Sequence, residues 1–181
     1  MKILRKILSK LRGEQDLNKL IRRGLIIGNN HTIMGGVIID PSHCWHITIG
    51  DNVTLAPRVH ILAHDASTKT FLGYTKIGNV SIGNRVFVGA GSIILPSVEI
   101  GDDVIIGSGS IVTKSIPSNS VAVGNPAQVI CTLQDYLAKE RLKMQNDNVF
   151  SSAYTVREDI NQDKKQQMIK ACKKYGKAYV E

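Results

Sequence analysis

The chain has 181 residues, of which 43% are hydrophobic and 5% aromatic, and its formal net charge is +8. These values fit one domain with a long, thin aliphatic core, and no apolar stretch is long enough to cross a bilayer. Lysine and arginine interrupt the first apolar residues, which argues against a secretory signal, so we expect a cytoplasmic protein.

The positive charge lies at the two ends of the chain. Residues 24–130 hold five Lys or Arg against six Asp or Glu, whereas residues 1–23 hold eight against two and residues 131–181 hold ten against seven. A nucleic-acid-binding domain would spread basic residues over its binding face, so this distribution excludes that class for the central segment. The basic ends remain candidates for contact with anionic lipid or an anionic substrate.

Residues 1–24 are predicted to form an amphipathic helical segment. One face holds Ile3, Leu4, Ile7, Leu8 and Leu11, and lysines and arginines lie elsewhere. Two interpretations are open. Residues 1–12 contact a membrane surface as a peripheral anchor, or the helix covers the exposed strand edges of the domain that follows. We favour the second.

A six-residue period runs through residues 25–130. It is uninterrupted in the aliphatic series Ile82, Val88, Ile94, Ile100, Ile106 and Val112, in which glycine follows four members. Six matches neither the period of a helix nor that of an ordinary strand. It predicts short strands that turn a corner at each repeat, the hexapeptide pattern of a parallel β-helix. An earlier block has the period at Ile27, Ile33 and Ile39 and, after a slip, at Ile49, Leu55 and Ile61.

Each repeat is predicted to point two side chains inward, the aliphatic residue and the residue four positions later. The second series is small or β-branched, as a narrow three-sided core requires. Its members are Val86, Ser92, Val98, Val104, Ser110 and Ile116. We expect the glycines to permit tight turns at the corners.

Residues 62–76 (LAHDASTKTFLGYTK) lack the period and are predicted to form a loop that leaves the coil. Insertions in such repeats often form the binding face, so this loop is the first place to look for chemistry. After the repeats, residues 131–181 are predicted to be helical, with helices at 132–145 and about 156–175.

The run from Ile82 to Ile130, with its Gly-Asn-Pro-Ala step, resembles the last coils of hexapeptide-repeat acetyltransferases of the maltose and galactoside type. His64 in the loop extends the similarity, which covers residues 25–131. The resemblance implies an all-β fold, a left-handed parallel β-helix with helical segments at both ends. It also implies a homotrimer, with acetyl-CoA in the cleft between neighbouring subunits and no metal.

The resemblance makes His64 the expected general base, because a neutral imidazole accepts a hydroxyl proton near neutral pH. Asp65 is adjacent but is not assigned to orienting it, since neighbouring side chains diverge. The expected coenzyme contacts are Phe87 on the pantetheine arm, backbone groups of Ala90 and Ser108, and Thr113 and Lys114, with Lys114 near a phosphate.

The chain departs from the galactoside acetyltransferases where that family has two arginines near the end of the repeats. Gln128 and Cys131 occupy this region here, so two cations expected near the coenzyme phosphates are missing. Lys139 or Arg141 is a candidate to replace them.

The acceptor is expected to contact His43, Cys44 and Trp45, because an aromatic ring beside polar side chains often binds sugars. The related sugar enzymes have an acidic residue near this point, so we expect the acceptor to differ from a simple galactoside. Catalysis by a Cys44 nucleophile is disfavoured, since a small cysteine is more often buried.

We therefore predict an acetyl-CoA-dependent O-acetyltransferase acting on a saccharide hydroxyl, for example in a surface polysaccharide or its precursor. Three alternatives are open: transfer to the amine of an amino-sugar nucleotide, an inactive trimeric scaffold, and a zinc hydratase like the gamma-type carbonic anhydrases. The last would use histidines such as His46, His60 and His64 as ligands.

Overall fold

The computed structural model describes residues 15–181. The chain divides into two compact units, Met1–Leu133 and Gln134–Glu181. The contact predicted for residues 1–12, with a membrane or with strand edges, lies outside the described residues.

The first unit starts with helix α1 (Leu17–Arg22), whose N-cap Asp16 accepts a hydrogen bond from the backbone N–H of Lys19. Short strands follow in groups of three, and we call each group a circuit. Circuit 1 contains β1 (Ile26–Ile27), β2 (Thr32–Ile33) and β3 (Ile38–Ile39), and circuit 2 contains β4 (Ile47–Ile49), β5 (Thr54–Leu55) and β6 (His60–Ile61). A segment with β7 (His64–Asp65) and β8 (Lys76–Ile77) comes next. Circuit 3 contains β9 (Val80–Ile82), β10 (Phe87–Val88) and β11 (Ile93–Ile94), and circuit 4 contains β12 (Glu99–Ile100), β13 (Val104–Ile106) and β14 (Ile111–Val112).

The circuits stack into three parallel sheets. Sheet 1 has the order β1-β4-β9-β12, and sheet 3 has the order β3-β6-β11-β14. Sheet 2 has the order β2-β5-β10-β13 and continues with β15 (Ser120–Gly124), which pairs antiparallel with β16 (Ala127–Thr132). Each circuit therefore visits sheets 1, 2 and 3 in turn, as the six-residue period predicts for strands that turn a corner at each repeat.

The core of this unit is the inward column of each sheet. In circuits 2 to 4 the aliphatic residue that ends each strand is buried, for example Ile61 and Ile94. In circuit 1 Ile39 is buried, whereas Ile27 and Ile33 are partly buried and pack against the core. The residue four positions after each aliphatic of the second block is buried too, and the buried members are Val86, Ser92, Val98, Val104, Ser110 and Ile116. Both inward series predicted from the sequence are confirmed for the second block.

Pairing between circuits keeps one register although the number of residues per circuit varies. Ile82 pairs with Ile100, 18 positions later, whereas Ile27 pairs with Ile49 after 22 positions and Ile49 pairs with Ile82 after 33. The extra residues lie between sheet 3 and sheet 1 in circuits 1 and 2. We call this position the 3–1 corner, and the position between sheets 2 and 3 the 2–3 corner.

The glycines after the aliphatic residues are required by close stacking of the circuits. A Cβ on Gly28 would lie 2.7 Å from the carbonyl carbon of Gly50, and one on Gly83 would lie 2.7 Å from that of Gly101. No real Cβ tolerates such a contact with backbone. The expectation that these glycines serve tight turns is therefore corrected, because their role at these positions is close approach of one circuit to the next.

A ladder of side-chain hydrogen bonds closes the corner between sheets 1 and 2. The N–H of Asn29 donates to Asp51 Oδ1 at 2.6 Å, and the N–H of Asp51 donates to Asn84 Oδ1 at 2.9 Å. The ladder continues from the N–H of Asn84 to Asp102 Oδ1 at 2.7 Å, and from the N–H of Asp102 to Ser118 Oγ at 2.9 Å. Backbone donors that the short strands leave unpaired are satisfied in this way.

The second unit contains most of α3 (Leu133–Lys143) and all of α4 (Gln162–Tyr175), with parallel strands β17 (Val149–Phe150) and β18 (Tyr179–Val180). The helix predicted at 132–145 is present, but the helix predicted from about 156 begins only at Gln162. Asp159 has a left-handed φ of 51°, which interrupts the helical path, and Asn161 caps α4 by accepting from the N–H of Lys164.

Within residues 15–181, no helix combines the length and the apolar character that crossing a membrane requires.

Candidate active site

The 3–1 corner carries the inserted segments of circuits 1 and 2. In circuit 1 the insertion contains a short 3-10 helix, Cys44–His46. In circuit 2, β7 pairs antiparallel with β8, with His64 opposite Ile77, and helix α2 (Lys69–Leu72) lies between these strands and ends at Gly73. The predicted loop 62–76 is therefore a small hairpin-like excursion, and it holds His64 at its base.

His64 is hydrogen-bonded to a buried carboxylate. His64 Nδ1 contacts Asp40 Oδ2, and the Asp40 side chain is fully buried while that of His64 is 32% exposed. The same Asp40 oxygen accepts the N–H of Ala63 at 3.1 Å. Its other oxygen accepts the N–H groups of Ser42 at 2.9 Å and His43 at 3.2 Å. Four donors thus surround one carboxylate.

Two opposing effects act on the pKa of Asp40. Burial raises it, and the hydrogen bonds from His64 and from the N–H groups of Ala63, Ser42 and His43 lower it by more, so the pKa lies below the usual value of 3.8. Asp40 is therefore ionised near neutral pH. Because an ionised carboxylate only accepts hydrogen bonds, Nδ1 of His64 carries a proton, and in the neutral form of the ring Nε2 presents a lone pair.

His64 belongs to a cluster of rings at this corner. The ring of His43 lies 4.9 Å from that of His64 and 5.4 Å from that of Trp45, measured between centroids. Trp45 is 50% exposed, whereas Nδ1 of His43 is buried and has no hydrogen-bond partner among the described residues. The structure thus brings together the predicted base and two of the three residues predicted to contact the acceptor.

Cys44, the third of those residues, has a different position. It is fully buried, and its thiol contacts the carbonyl oxygen of Leu20 at 3.6 Å. A three-residue 3-10 turn exposes Trp45 and directs Cys44 into the core. This position removes Cys44 from the predicted acceptor-binding set.

The histidines proposed for a zinc hydratase do not form a ligand set. His46 donates through Nδ1 to Asn79 Oδ1 at 2.7 Å, and His60 lies in β6. Among residues 15–181, the group of three His, Cys, Asp or Glu side chains with ligand atoms close enough for one metal ion is Asp40, His43 and His64.

The predicted coenzyme contacts divide between two corners. Ala90 and Ser108 are exposed at the 2–3 corner in circuits 3 and 4, and the carbonyl of Ala90 accepts the N–H of Gly109 at 2.8 Å. Phe87 is 44% exposed in β10 beside this corner. Thr113 and Lys114 are exposed at the 3–1 corner of circuit 4. All five are accessible, but one chain does not gather them around His64.

Sequence reasoning missed Asp40. One signal was available, because Asp40 directly follows the aliphatic Ile39, at the repeat position that glycine occupies after Ile49 and Ile82.

Asp65, which the sequence analysis did not assign to orienting His64, forms a salt bridge with Lys76 in which Nζ lies 2.6 Å from Oδ2. The hydrogen bonds from Lys76 and Ser67 lower the pKa of Asp65 to about 2.

A cavity of about 290 Å³ lies apart from these residues. It is lined by α1 and circuit 1, including Leu17, Leu20, Ile33 and Met34, and neither His43 nor His64 borders it. The candidate active site is therefore an open corner rather than this cavity.

Known proteins share both the sequence pattern and the fold. Residues 74–114 match the family model described as bacterial transferase hexapeptide (six repeats). The chain is 38% identical over 146 residues to Protein CapG of Staphylococcus aureus, an alignment that covers 76% of this chain and 81% of that protein.

Two solved structures are similar. A maltose O-acetyltransferase from Clostridium difficile 630 aligns with a TM-score of 0.52 and 32% identity, covering 70% of this chain and 83% of that chain. A galactoside acetyltransferase in complex with coenzyme A aligns with a TM-score of 0.52 and 35% identity, covering 68% of this chain and 60% of that chain.

The lowered pKa of Asp40 predicts a pH-dependent contribution to stability. A depressed pKa stabilises the folded state above the pKa of the unfolded chain, and this stabilisation is lost as pH falls through the folded-state pKa. We expect Asp40→Asn to lower the free energy of unfolding at pH 7 by about 1 to 3 kcal/mol. The difference from wild type should shrink below pH 4. Urea unfolding of both proteins at pH 7 and at a pH below 4 measures this difference in free energy. A difference that does not change with pH would contradict the lowered pKa of Asp40.

Proposed function

The chain belongs to the hexapeptide-repeat acetyltransferases, and from this premise we propose that it transfers the acetyl group of acetyl-CoA to a hydroxyl of a saccharide. The observation that carries the proposal is the pairing of partly exposed His64 with the buried, ionised carboxylate of Asp40. The saccharide class is supported by the maltose and galactoside enzymes among the similar structures. An acceptor from a surface polysaccharide or its precursor stays a prediction.

In this proposal His64 is the general base. Its Nε2 accepts the proton of the acceptor hydroxyl as the oxygen attacks, and then returns that proton to the departing sulfur. Acetyl-CoA supplies the thioester carbonyl that is attacked. Asp40 touches neither reactant. It is a positioning residue that keeps the proton on Nδ1, orients the ring and stabilises the imidazolium that forms transiently.

The exposed ring of Trp45 and the ring of His43 provide a surface for the acceptor. A sugar ring packed on Trp45 would lie beside His43, whose ring contacts that of His64. Aromatic faces suit this role because the axial C–H groups of a sugar are apolar. The acceptor hydroxyl would then approach His64 from its exposed side.

The coenzyme contacts support a site that two copies of the chain share. Phe87, Ala90 and Ser108 are accessible, as contacts to an extended pantetheine arm must be. They lie at or beside the 2–3 corner, however, whereas His64 lies at the 3–1 corner. A second copy that brings its 2–3 corner to this 3–1 corner would complete one site, and Lys114 would offer a cation for a phosphate.

The outer face of sheet 3 is the surface we propose for this assembly, as a homotrimer of left-handed β-helices. Neighbouring strands place Ile38, His60, Ile93 and Ile111 in one row on this face. Ile38 is 37% exposed although it is aliphatic. A row of three isoleucines around one histidine is typical of a surface that is covered in an oligomer.

Replacing His64 tests the base directly. We expect His64→Ala to lower kcat for acetyl transfer by about 10²- to 10⁴-fold, the usual contribution of general base catalysis, with coenzyme binding retained. Release of free thiol from acetyl-CoA, measured over a panel of saccharides and amino-sugar nucleotides, gives the rate and the acceptor class. His31→Ala is the matched control because His31 lies in circuit 1 and its Nδ1 contacts the carbonyl oxygen of Gly28 rather than any residue of the proposed site. Unchanged turnover in His64→Ala would refute the assignment.

Replacing Trp45 tests the acceptor surface. We expect Trp45→Ala to raise KM for the saccharide about tenfold, since an aromatic contact of roughly 1.4 kcal/mol is lost, while KM for acetyl-CoA stays as in wild type. Steady-state kinetics with each substrate varied in turn separates the two. A variant in which only KM for acetyl-CoA rises would place Trp45 on the coenzyme instead.

Placing a charge on sheet 3 tests the assembly. We expect wild type to sediment as a trimer and Ile93→Lys to sediment as a monomer without activity, because a lysine at the centre of the row is costly to bury. Ser81→Lys is the control, since Ser81 has the same strand position on the outer face of sheet 1. An active, trimeric Ile93→Lys protein would exclude this surface.

A further inference from the structure

We propose that Asp40, His43 and His64 also bind a divalent transition-metal ion such as Zn²⁺, and that this ion inhibits the enzyme. One ligand atom from each side chain lies within 4.8 Å of the other two. Two imidazoles and one carboxylate are a donor set that suits zinc and leaves a fourth position for water. This ligand set shares only His64 with the three histidines that the sequence suggested for a zinc hydratase. The proposed ion inhibits acetyl transfer, whereas a hydratase would use it for catalysis.

The proposed proton transfer does not explain why a ring nitrogen of His43 is buried without a partner in the described part of the chain. Its Nδ1 is buried and has no hydrogen-bond partner among residues 15–181. A buried polar atom without a partner costs free energy, and acetyl transfer as proposed uses only Asp40 and His64 for the proton. A metal ion at this corner would give the nitrogen a partner, and the His64 ring already lies 4.9 Å away.

The rest of the site allows His64 to move away from Asp40 so that an ion binds between them. A tetrahedral zinc ion holds its ligand atoms about 3.3 Å apart, so the hydrogen bond between His64 and Asp40 opens and the ion replaces the shared proton. The carboxylate keeps its position, because the N–H groups of Ser42, His43 and Ala63 hold it independently. His64 is partly exposed and provides a side from which an ion enters.

Inhibition follows from the tautomer of His64. A neutral imidazole has one ring proton, which lies on Nδ1 when that nitrogen donates to Asp40. Coordination through Nδ1 moves the proton to Nε2, with no net proton released. Nε2 then has no lone pair for the acceptor hydroxyl. The inhibition rests on the proposed acetyl transfer, whereas metal binding does not.

The binding test uses the full chain freed of metal by a chelator, in a Cys172→Ser background because Cys172 is an exposed thiol that would attract zinc. Titration with Zn²⁺ in a calorimeter gives the affinity, and Co²⁺ in place of zinc reports geometry through its visible absorption. We expect one tetrahedral site and a loss of affinity in His43→Ala of at least about 10- to 100-fold, the usual cost of losing even a partner that only hydrogen-bonds a ligand. His31→Ala should bind as the parent does. His43→Gln, which keeps a polar side chain, guards against loss of folding.

Equal zinc affinity in the parent, His43→Ala and His43→Gln proteins would overturn the proposal, as would an octahedral cobalt spectrum. In the activity assay, zinc should inhibit the parent and a chelator should restore the rate, with higher zinc concentrations needed for inhibition of either His43 variant. A protein that binds zinc through His43 but transfers no acetyl group would support the metal site and refute the proposed function.

Discussion

Parallel pairing between successive circuits is the constraint on which the rest of the structure depends. The strands of the four circuits are two or three residues long, and a slip of one residue would turn their buried isoleucines outward. Extra residues cannot be absorbed within the strands, so they leave the coil at a corner. The insertions of circuits 1 and 2 both leave at the 3–1 corner, in circuits that lie about 4.8 Å apart. Residues far apart in the sequence are thereby stacked, and Asp40 meets His64.

The buried carboxylate at this corner is stable because its own backbone satisfies it. An unpaired carboxylate in a core is costly, but the N–H groups of Ser42, His43 and Ala63 all donate to Asp40. Three of its four hydrogen bonds therefore come from main chain that the stacked circuits fix. The charge is in place before His64 adds the fourth, so the orientation of the imidazole does not depend on the far end of the excursion that carries α2.

The sequence predicted the features that follow from local periodicity. Burial of the inward column, typified by Ile94 and Val98, required only the six-residue spacing. The contact between Asp40 and His64 was not predictable in this way, because it joins residues 24 positions apart and depends on the lengths of both insertions. Cys44 was misplaced for a related reason, since a single 3-10 turn decides whether it or Trp45 points outward. The start of α4 was missed because a left-handed residue, Asp159, interrupts an otherwise helical pattern.

The proposed interface and the proposed active site are parts of one surface. Sheet 3 lies between the 2–3 corner, which carries Ala90 and Ser108, and the 3–1 corner, which carries His64. If copies join through this sheet, the same contacts that cover Ile93 also bring coenzyme-binding groups of one copy to the base of the next. Coenzyme that bridges two copies would then favour the assembled state by mass action. Activity would depend on protein concentration below the dissociation constant of the oligomer, a dependence that a site contained within one chain does not have.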